Sequence, residues 1–600
     1  MAYTIEQTDA QLRKTTAAIR YHLSFDRAAQ HLADVRIEID TDADELVLAL
    51  PNWIPGSYKV RDFISFLNDF GVTGAKGAAL PFEWIAKNRV RIETRGARTI
   101  TASYSYFGNE RSVRQSHINR FHAFVNPATC LMYVEGRTEE IHHVTLDHPW
   151  KTVSTALSPV NKKGTLGALN YDILIDSPLE IGDHFVASFT AHGAVHEVAI
   201  TGAGDVDHDW VVEQVRVIVD TAVATWEKLP YDRYVFILQL IPGIVTGLEH
   251  ARSSVNVFDA YSFGDKDKSV RLLGLLCHEY FHVWNVKRIR PIELGPFDYN
   301  TENYTRMLWL AEGLTSYYDD LMVYRCGFYT RDEYLKAVGV DHLGRLYDTP
   351  GRLAMSLKDS SYLSWVKLYV PTPDNENRFP SYYLKGGVVF MLLDWHVIAE
   401  TGGTRSLDDA LRALMERYWR DPSTGLTEEE FMEIVSNATG VDVRGPLTAW
   451  LASTDELPVA DLASRLGMLW RTKAKKAAAR FGDDRKFIDH DSERWLGLSL
   501  EEIKTGVKVA KVLRDSPAEA AGIGADDEVL AVNGRRVATR NDFEAMVRGT
   551  RSGRIEVTAA SEGQLYQAKI KPGRKAQHEL TIDEAITDDQ RALLDAWLRR

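Results

Sequence analysis

Cysteine is scarce in this chain. Three stand among 600 residues, Cys130, Cys277 and Cys326, odd in number and far apart, so no disulfide framework is implied. No apolar run approaches the 18 or more residues of a membrane-spanning helix. Basic charge is in deficit: 71 Lys and Arg against 84 Asp and Glu leave a net charge of −13, which argues against nucleic acid or an anionic membrane as the main partner. The first residues carry neither the basic start nor the apolar stretch of a secretion signal, so a cytoplasmic location is expected, with the periplasm left open. Long repeats and low-complexity tracts are missing too. What remains is a globular composition, 45% hydrophobic and 26% charged, long enough for three or four domains of about 150 residues each.

Residues 1–200 read as a β-rich domain. Ala17–Phe25, Val35–Ile39, Glu45–Leu50 and Thr99–Phe107 alternate or are rich in β-branched and aromatic residues. Trp53-Ile-Pro-Gly-Ser-Tyr58 and Asp176-Ser-Pro178 supply turns. The histidines here (His22, His31, His117, His122, His142, His143) lack ligand spacing and read as structural or surface residues. Near residue 209 the period changes to helical over Asp209–Trp226, followed by a buried-strand run at Tyr234–Ile241. Residues 201–465 form a mainly helical unit, with helices at Met307–Tyr318, Tyr383–Ile398, Ser406–Trp419 and Thr427–Val435, the last opened by a capping box of Thr427 and Glu430. A basic stretch at Lys473–Arg480 reads as a solvated face or linker within 466–485. Residues 486–575 show a compact strand–turn–helix–strand order, and 576–600 a tail ending in a helix with a Thr587/Gln590 capping box.

The chemistry is concentrated in Ser269–Asn285, which carries His278-Glu279-Tyr-Phe-His282. On a helix, positions i and i+4 lie one above the other, so the two imidazoles can converge on one zinc ion while Glu279 leans beside it as a proton acceptor. Chance supplies about 0.08 such matches in a chain of this composition, so the context has to decide. Leu272, Leu273, Leu275, Leu276, Tyr280, Phe281, Val283 and Trp284 make the helix apolar nearly all round, and buried histidines beside a glutamate are costly unless something satisfies them. A third ligand is still needed. Asn285 and Arg288 stand where the metzincin pattern has glycine and histidine, leaving Glu293, Glu302 and Glu312. Glu302 has thermolysin-like spacing but sits in a polar loop, whereas Glu312 falls in the next helix.

These motifs, with Trp53–Tyr58, Trp309-Leu-Ala-Glu312-Gly and Gly247-Leu-Glu249-His250, resemble the glycyl aminopeptidase family of gluzincin metallopeptidases, distantly similar to aminopeptidase N. The resemblance spans nearly the whole chain. It implies a multidomain α+β protein: an N-terminal β-rich domain, a mainly α thermolysin-like catalytic domain and a C-terminal PDZ-like domain. It favours Glu312 as the third ligand to one zinc per chain, through the W-L-x-E-G pattern. It also implies Glu249 and Gly247 as the motif that grips a substrate's free α-amine, and Tyr383 (Tyr382 as fallback) as the hydroxyl that donates to the oxyanion. Glu279 would take a proton from the attacking water and pass it to the leaving amine. A preference for Gly or Ala comes from the resemblance alone.

Trp495-Leu496-Gly497-Leu498, Ser516–Gly522 and Ala531–Gly534 resemble a PDZ domain, whose Leu-Gly-Leu loop would capture a peptide C-terminal carboxylate. The expected partners are thus peptides with a free N-terminus and a C-terminal peptide at the PDZ-like domain, with the oligomeric state open. Two other readings stand beside this one: a zinc endopeptidase, which would dispense with Glu249 as amine anchor, and a PDZ-bearing scaffold, which would have no need of Glu279.

Overall fold

The computed structural model describes residues 4–6, 9–12, 16–474 and 494–599. They form two compact units, one of residues up to 329 with 407–438, the other of 330–406 with 439–599. Among the described residues no helix is long and apolar enough to cross a membrane.

The first unit opens on a seven-stranded sheet in which Ile19–Ser24 lies between Leu32–Asp40 and His142–Asp147. Ile19, Tyr21 and Leu23 are buried while Arg20, His22 and Ser24 are half-buried, the two-residue period of a strand with one face on a core. That core continues into a second sheet through Val235, Ile237, Leu248, Val255 and Val257. The second sheet runs Phe185–Ala191, Ala194–Thr201, Arg233–Leu240, Ser253–Phe258, Thr246–Glu249 in spatial order. Its three middle strands are parallel. Arg233–Leu240 is buried from Tyr234 onward and Ser253–Phe258 throughout, as expected for strands covered on both faces.

The crossover helix His208–Trp226 is capped by Asp207, whose carboxylate accepts from Trp210 N at 3.0 Å. It buries Val211, Val215, Ile218, Val219, Ala222 and Trp226, one helical stripe. Behind it come the histidine helix Lys266–Phe281 and the helix Leu314–Arg325. Phe281 stacks on Tyr318 with ring centroids 4.9 Å apart. Leu407–Arg420 joins this unit through Asp408, which accepts from Tyr318 and pairs with Arg325.

The second unit is built on the helix Leu384–Glu400, buried at every position from Lys385 to Trp395. Trp395 meets Trp597 of the C-terminal helix Asp588–Trp597 edge to face at 5.2 Å. The Thr587/Gln590 capping box opens that helix as expected. Met468–Ala474, at the start of the stretch read as a linker, forms a strand paired with Ala576–Ile582; the rest of that stretch, and most of the basic run 473–480, lies outside the described residues. Residues 495–570 form a separate six-stranded sheet with its own core of Leu500, Val507, Val509, Ile523, Phe543 and Ile555, among others.

Candidate active site

The histidine helix buries Leu272, Leu273, Leu276, Cys277, Tyr280 and Phe281, and this packing fixes the direction of the two histidines between them. The α-helix ends at Phe281, and His282 continues it by one bond from its N–H to His278 O at 3.3 Å. His278 Nε2 and His282 Nε2 are 3.2 Å apart. Glu312 Oε2 lies 3.3 Å from the second and 3.9 Å from the first. Zinc with bonds of roughly 2.0–2.1 Å in tetrahedral geometry holds its ligand atoms about 3.3–3.4 Å apart, so these three atoms fit one ion.

The outer ring nitrogens are engaged: His278 Nδ1 donates to Asp319 Oδ2 at 2.9 Å and His282 Nδ1 to Asn285 O at 2.7 Å. That leaves both Nε2 lone pairs facing inward, as metal-binding histidines require. Asn285 pins the turn after His282 to the Glu312 segment, its Nδ2 donating to Leu310 O and Ala311 O at 3.0 Å each. Glu312 is 2% exposed and sits in a single wide π-type turn, Trp309–Gly313, before the regular helix begins. Such turns insert an extra residue and re-aim a side chain. Of the other candidates, Glu293 accepts from Thr305 and Glu302 from Thr301.

Glu279 and Glu249 stand beside this centre. A ligand atom from each of Glu249, Glu279 and His282 lies within 4.8 Å of the others. Gly247 explains how the strand Thr246–Glu249 comes so close, because a Cβ there would overlap the Glu279 carboxylate. Glu249 is 4% exposed and its Oε1 has no hydrogen-bond partner. The turn Trp53–Tyr58 covers it: at Gly56, with φ +81°, an added Cβ would sit 2.5 Å from that same Oε1. Beside Glu249 remains a cavity of about 20 Å³.

The charge balance favours a cation. Burial alone would lower the pKa of His282, but Glu249, Glu312 and Glu279 outweigh it and hold the imidazole up at about 9. Glu279 is raised by burial, with His278 and His282 pulling it down and the carboxylates of Glu249 and Glu312 adding to the rise.

Two supports were not found by sequence reasoning. Asp176, read only as part of a turn, accepts from His250 Nδ1 at 2.9 Å, Lys287 Nζ at 2.7 Å and Ala251 N at 2.7 Å, and so fixes the end of the Glu249 strand. Burial raises its pKa, but Lys287 and His250 outweigh this and bring it to about 2. Nothing in Asp-Ser-Pro signals that. Asp319 did leave a signal, since it follows Glu312 by seven residues, two helical turns on the same face.

Tyr383 belongs to the second unit, immediately before the helix Leu384–Glu400. Its hydroxyl lies 3.2 Å from that of Tyr369, and its ring stacks on the fully buried Tyr382 at 4.9 Å. In the same unit Leu496 is buried, Gly497 has φ +74° and accepts at its carbonyl from Leu513 N at 2.7 Å, and Leu498 begins an edge strand. A side chain at Gly497 would overlap Ser516.

Residues 20–183 match the M61 peptidase N-terminal domain, 271–389 the M61 glycyl aminopeptidase and 495–571 a PDZ domain. An aminopeptidase N family protein from Idiomarina loihiensis superimposes with a TM-score of 0.88 and 26% identity, over 97% of this chain and 100% of that one. An M1 zinc metallopeptidase from Deinococcus radiodurans matches at a TM-score of 0.44 and 14% identity, over 73% of this chain and 95% of that one. Aminopeptidase A from Legionella pneumophila matches at 0.46 and 10%, over 95% and 57%. No curated protein matches the chain.

Proposed function

The chain belongs to the M61 glycyl aminopeptidase family of zinc metallopeptidases, with the family's N-terminal domain and a PDZ domain, and from that premise we propose that it removes single small residues, glycine or alanine, from the free N-terminus of peptides. The observation that carries this reading is Glu249: a buried carboxylate with an unpartnered oxygen, within 4.8 Å of Glu279 and His282. An unsatisfied buried carboxylate is costly, and a substrate ammonium supplies the missing donors. A charge-assisted pair at that point fixes the first peptide carbonyl near the metal centre.

His278, His282 and Glu312 would hold one zinc ion per chain. Zinc bound there supplies a Lewis acid that lowers the pKa of water and draws charge from a peptide carbonyl. Glu279 accepts the proton of the attacking water on its carboxylate and delivers it to the departing amine. The family resemblance assigns to the Tyr383 hydroxyl the donation to the oxygen on which negative charge develops, a contribution on the order of 10²–10³ in rate. The preference for small side chains comes from the family resemblance, and the close approach of Gly56 to the Glu249 carboxylate supports it. The PDZ domain, in this reading, holds a peptide C-terminus on the loop Leu496–Gly497–Leu498. The domain layout that goes with it is 1–200, 201–465, a linker, 486–575 and a tail.

The test pairs zinc content with hydrolysis of alanyl- and glycyl-anilides and their N-acetylated forms, for the natural chain and Glu249→Ala. One zinc per chain, with cleavage confined to free amines and lost in the variant, is the expected result. Cleavage of blocked substrates would make the protein an endopeptidase. No zinc and no cleavage would leave a peptide-binding scaffold.

A further inference from the structure

The first unit holds a second cavity, of about 920 Å³, lined by residues of the N-terminal sheets and by the ends of two parallel strands, Thr201 and Gly202 on one and Gln239 and Leu240 on the other. Crevices outside the carboxyl ends of parallel strands are habitual ligand sites. It is separate from the metal centre. None of Glu249, His278, Glu279, His282 and Glu312 lines it; the histidine helix packs through Tyr280 against Tyr234 and Phe236, whereas Gln239, an odd number of residues along the same strand, points to the opposite face.

Its wall is cationic in a chain of net charge −13. Arg111 and Arg120 both line it, and neither guanidinium has an ion-pair partner among the described residues. Beneath them runs a hydrogen-bond chain: His117 Nδ1 to His122 Nε2 at 3.0 Å, His122 Nδ1 to Glu180 Oε1 at 2.7 Å, and Gln239 Nε2 to Glu180 Oε2 at 2.7 Å. Glu180 is completely buried, so it orients the imidazoles without presenting its own charge to the cavity. His184 donates or accepts at Ser154 through Nε2 and has a buried Nδ1 without a partner. The one carboxylate among the lining residues, Asp183, accepts from Lys151 N at 3.0 Å.

A metal is not what these groups await. Among the described residues, the sets of three metal-ligating side chains whose donor atoms converge are the two at the histidine helix. Cations and imidazoles spread over a wall suit an extended anion instead. Aromatic rings line it as well: Phe121 is 74% exposed, Trp150 is part of the lining, and Phe185 stacks on His208 at 4.4 Å and 15°.

We propose that this cavity binds a small organic anion, a carboxylate or phosphate ester carried on an aromatic ring, with Arg111 and Arg120 taking the anionic group and Phe121, Trp150 and Phe185 the ring. The cavity volume is that of ordinary small-molecule sites.

Calorimetric titration of the zinc-loaded full chain with phenylacetate, phenyl phosphate, inorganic phosphate and the neutral phenylacetamide tests this. Saturable binding of an aromatic anion near one per chain is expected, with phenylacetamide and inorganic phosphate at least about tenfold weaker. The double variant Arg111→Ala/Arg120→Ala should weaken the aromatic anion by about tenfold or more and leave anilide hydrolysis unchanged. The tighter of phenyl phosphate and phenylacetate identifies the anionic group, and either order supports the site. Equal binding of phenylacetamide, equal binding of inorganic phosphate, an affinity unmoved in the double variant, or no binding at millimolar concentrations would each overturn it.

Discussion

At the scale of single residues, the site depends on carboxylates that burial makes expensive and neighbours make useful. Glu279→Gln keeps the shape and the acceptor oxygen but cannot take a proton. Zinc content should stay unchanged while kcat falls by about 10²–10⁴, the range of general base catalysis, read by metal analysis and steady-state kinetics on the same sample. A carboxylate away from the site gives the pH dependence. Burial lifts Asp172 from 3.8 to about 6, against the opposing effect of the Tyr299 hydroxyl that donates to it. A carboxyl raised in the folded state binds its proton more tightly folded than unfolded. Stability is therefore full below about pH 4, falls as pH rises toward about 6, and stays reduced above that, by roughly 3 kcal/mol for a shift of this size. Asp172→Asn still accepts from Tyr299 and escapes that loss. It should stabilise the first unit by roughly 2–3 kcal/mol at pH 8 and by almost nothing at pH 4, measured by denaturant unfolding at both values.

At the scale of elements, one side chain clips the PDZ domain to the helical part of the second unit. Asn377, 5% exposed, donates from Nδ2 to Val512 O and accepts on Oδ1 from Arg514 N, each at 2.8 Å. The same loop donates Leu513 N to Gly497 O. Removing both side-chain bonds leaves two half-buried backbone groups to water, at roughly 0.5–1.5 kcal/mol for each bond lost. Asn377→Ala should raise amide exchange at Leu513 and Arg514 well above that of Gly506–Lys511 in the neighbouring strand, while the helix Leu384–Glu400 keeps its protection. Unchanged exchange at Arg514 would mean that the contact does not hold the loop.

For the whole molecule, the residues proposed to hold zinc, His278, His282 and Glu312, all belong to the first unit. A ligand that binds the native state alone stabilises it by mass action, about 4 kcal/mol at a thousand times Kd. Stripping the protein with a chelator should therefore lower the melting temperature of the first unit and leave that of the second in place, read by calorimetry on the zinc-loaded and stripped chain. A uniform shift of all transitions would contradict a centre confined to one unit. Multidomain unfolding of this kind is not two-state, and the two transitions need separate enthalpies.

Local pattern determined much of this. Two-residue alternation gave the strands around Tyr21 and Val35, helical period gave His208–Trp226 with its apolar stripe, and the capping box at Thr587 stands where its residues put it. His278, Glu279 and His282 were legible because their spacing is a property of one helix. Only the tertiary structure decided what comes from far along the chain. It brought Glu312, of the three candidate glutamates, beside His278 and His282 on a wide turn, set Asp176 under the Glu249 strand, and laid the Gly56 turn against the Glu249 carboxylate. It also turned two histidines that read as unremarkable, His117 and His122, into one wall of a cavity. The reason is physical. Periodicity along the chain reports which face a residue occupies, whereas a cavity, a hydrogen bond across 58 residues or an orphaned oxygen exists only after packing has fixed which faces meet.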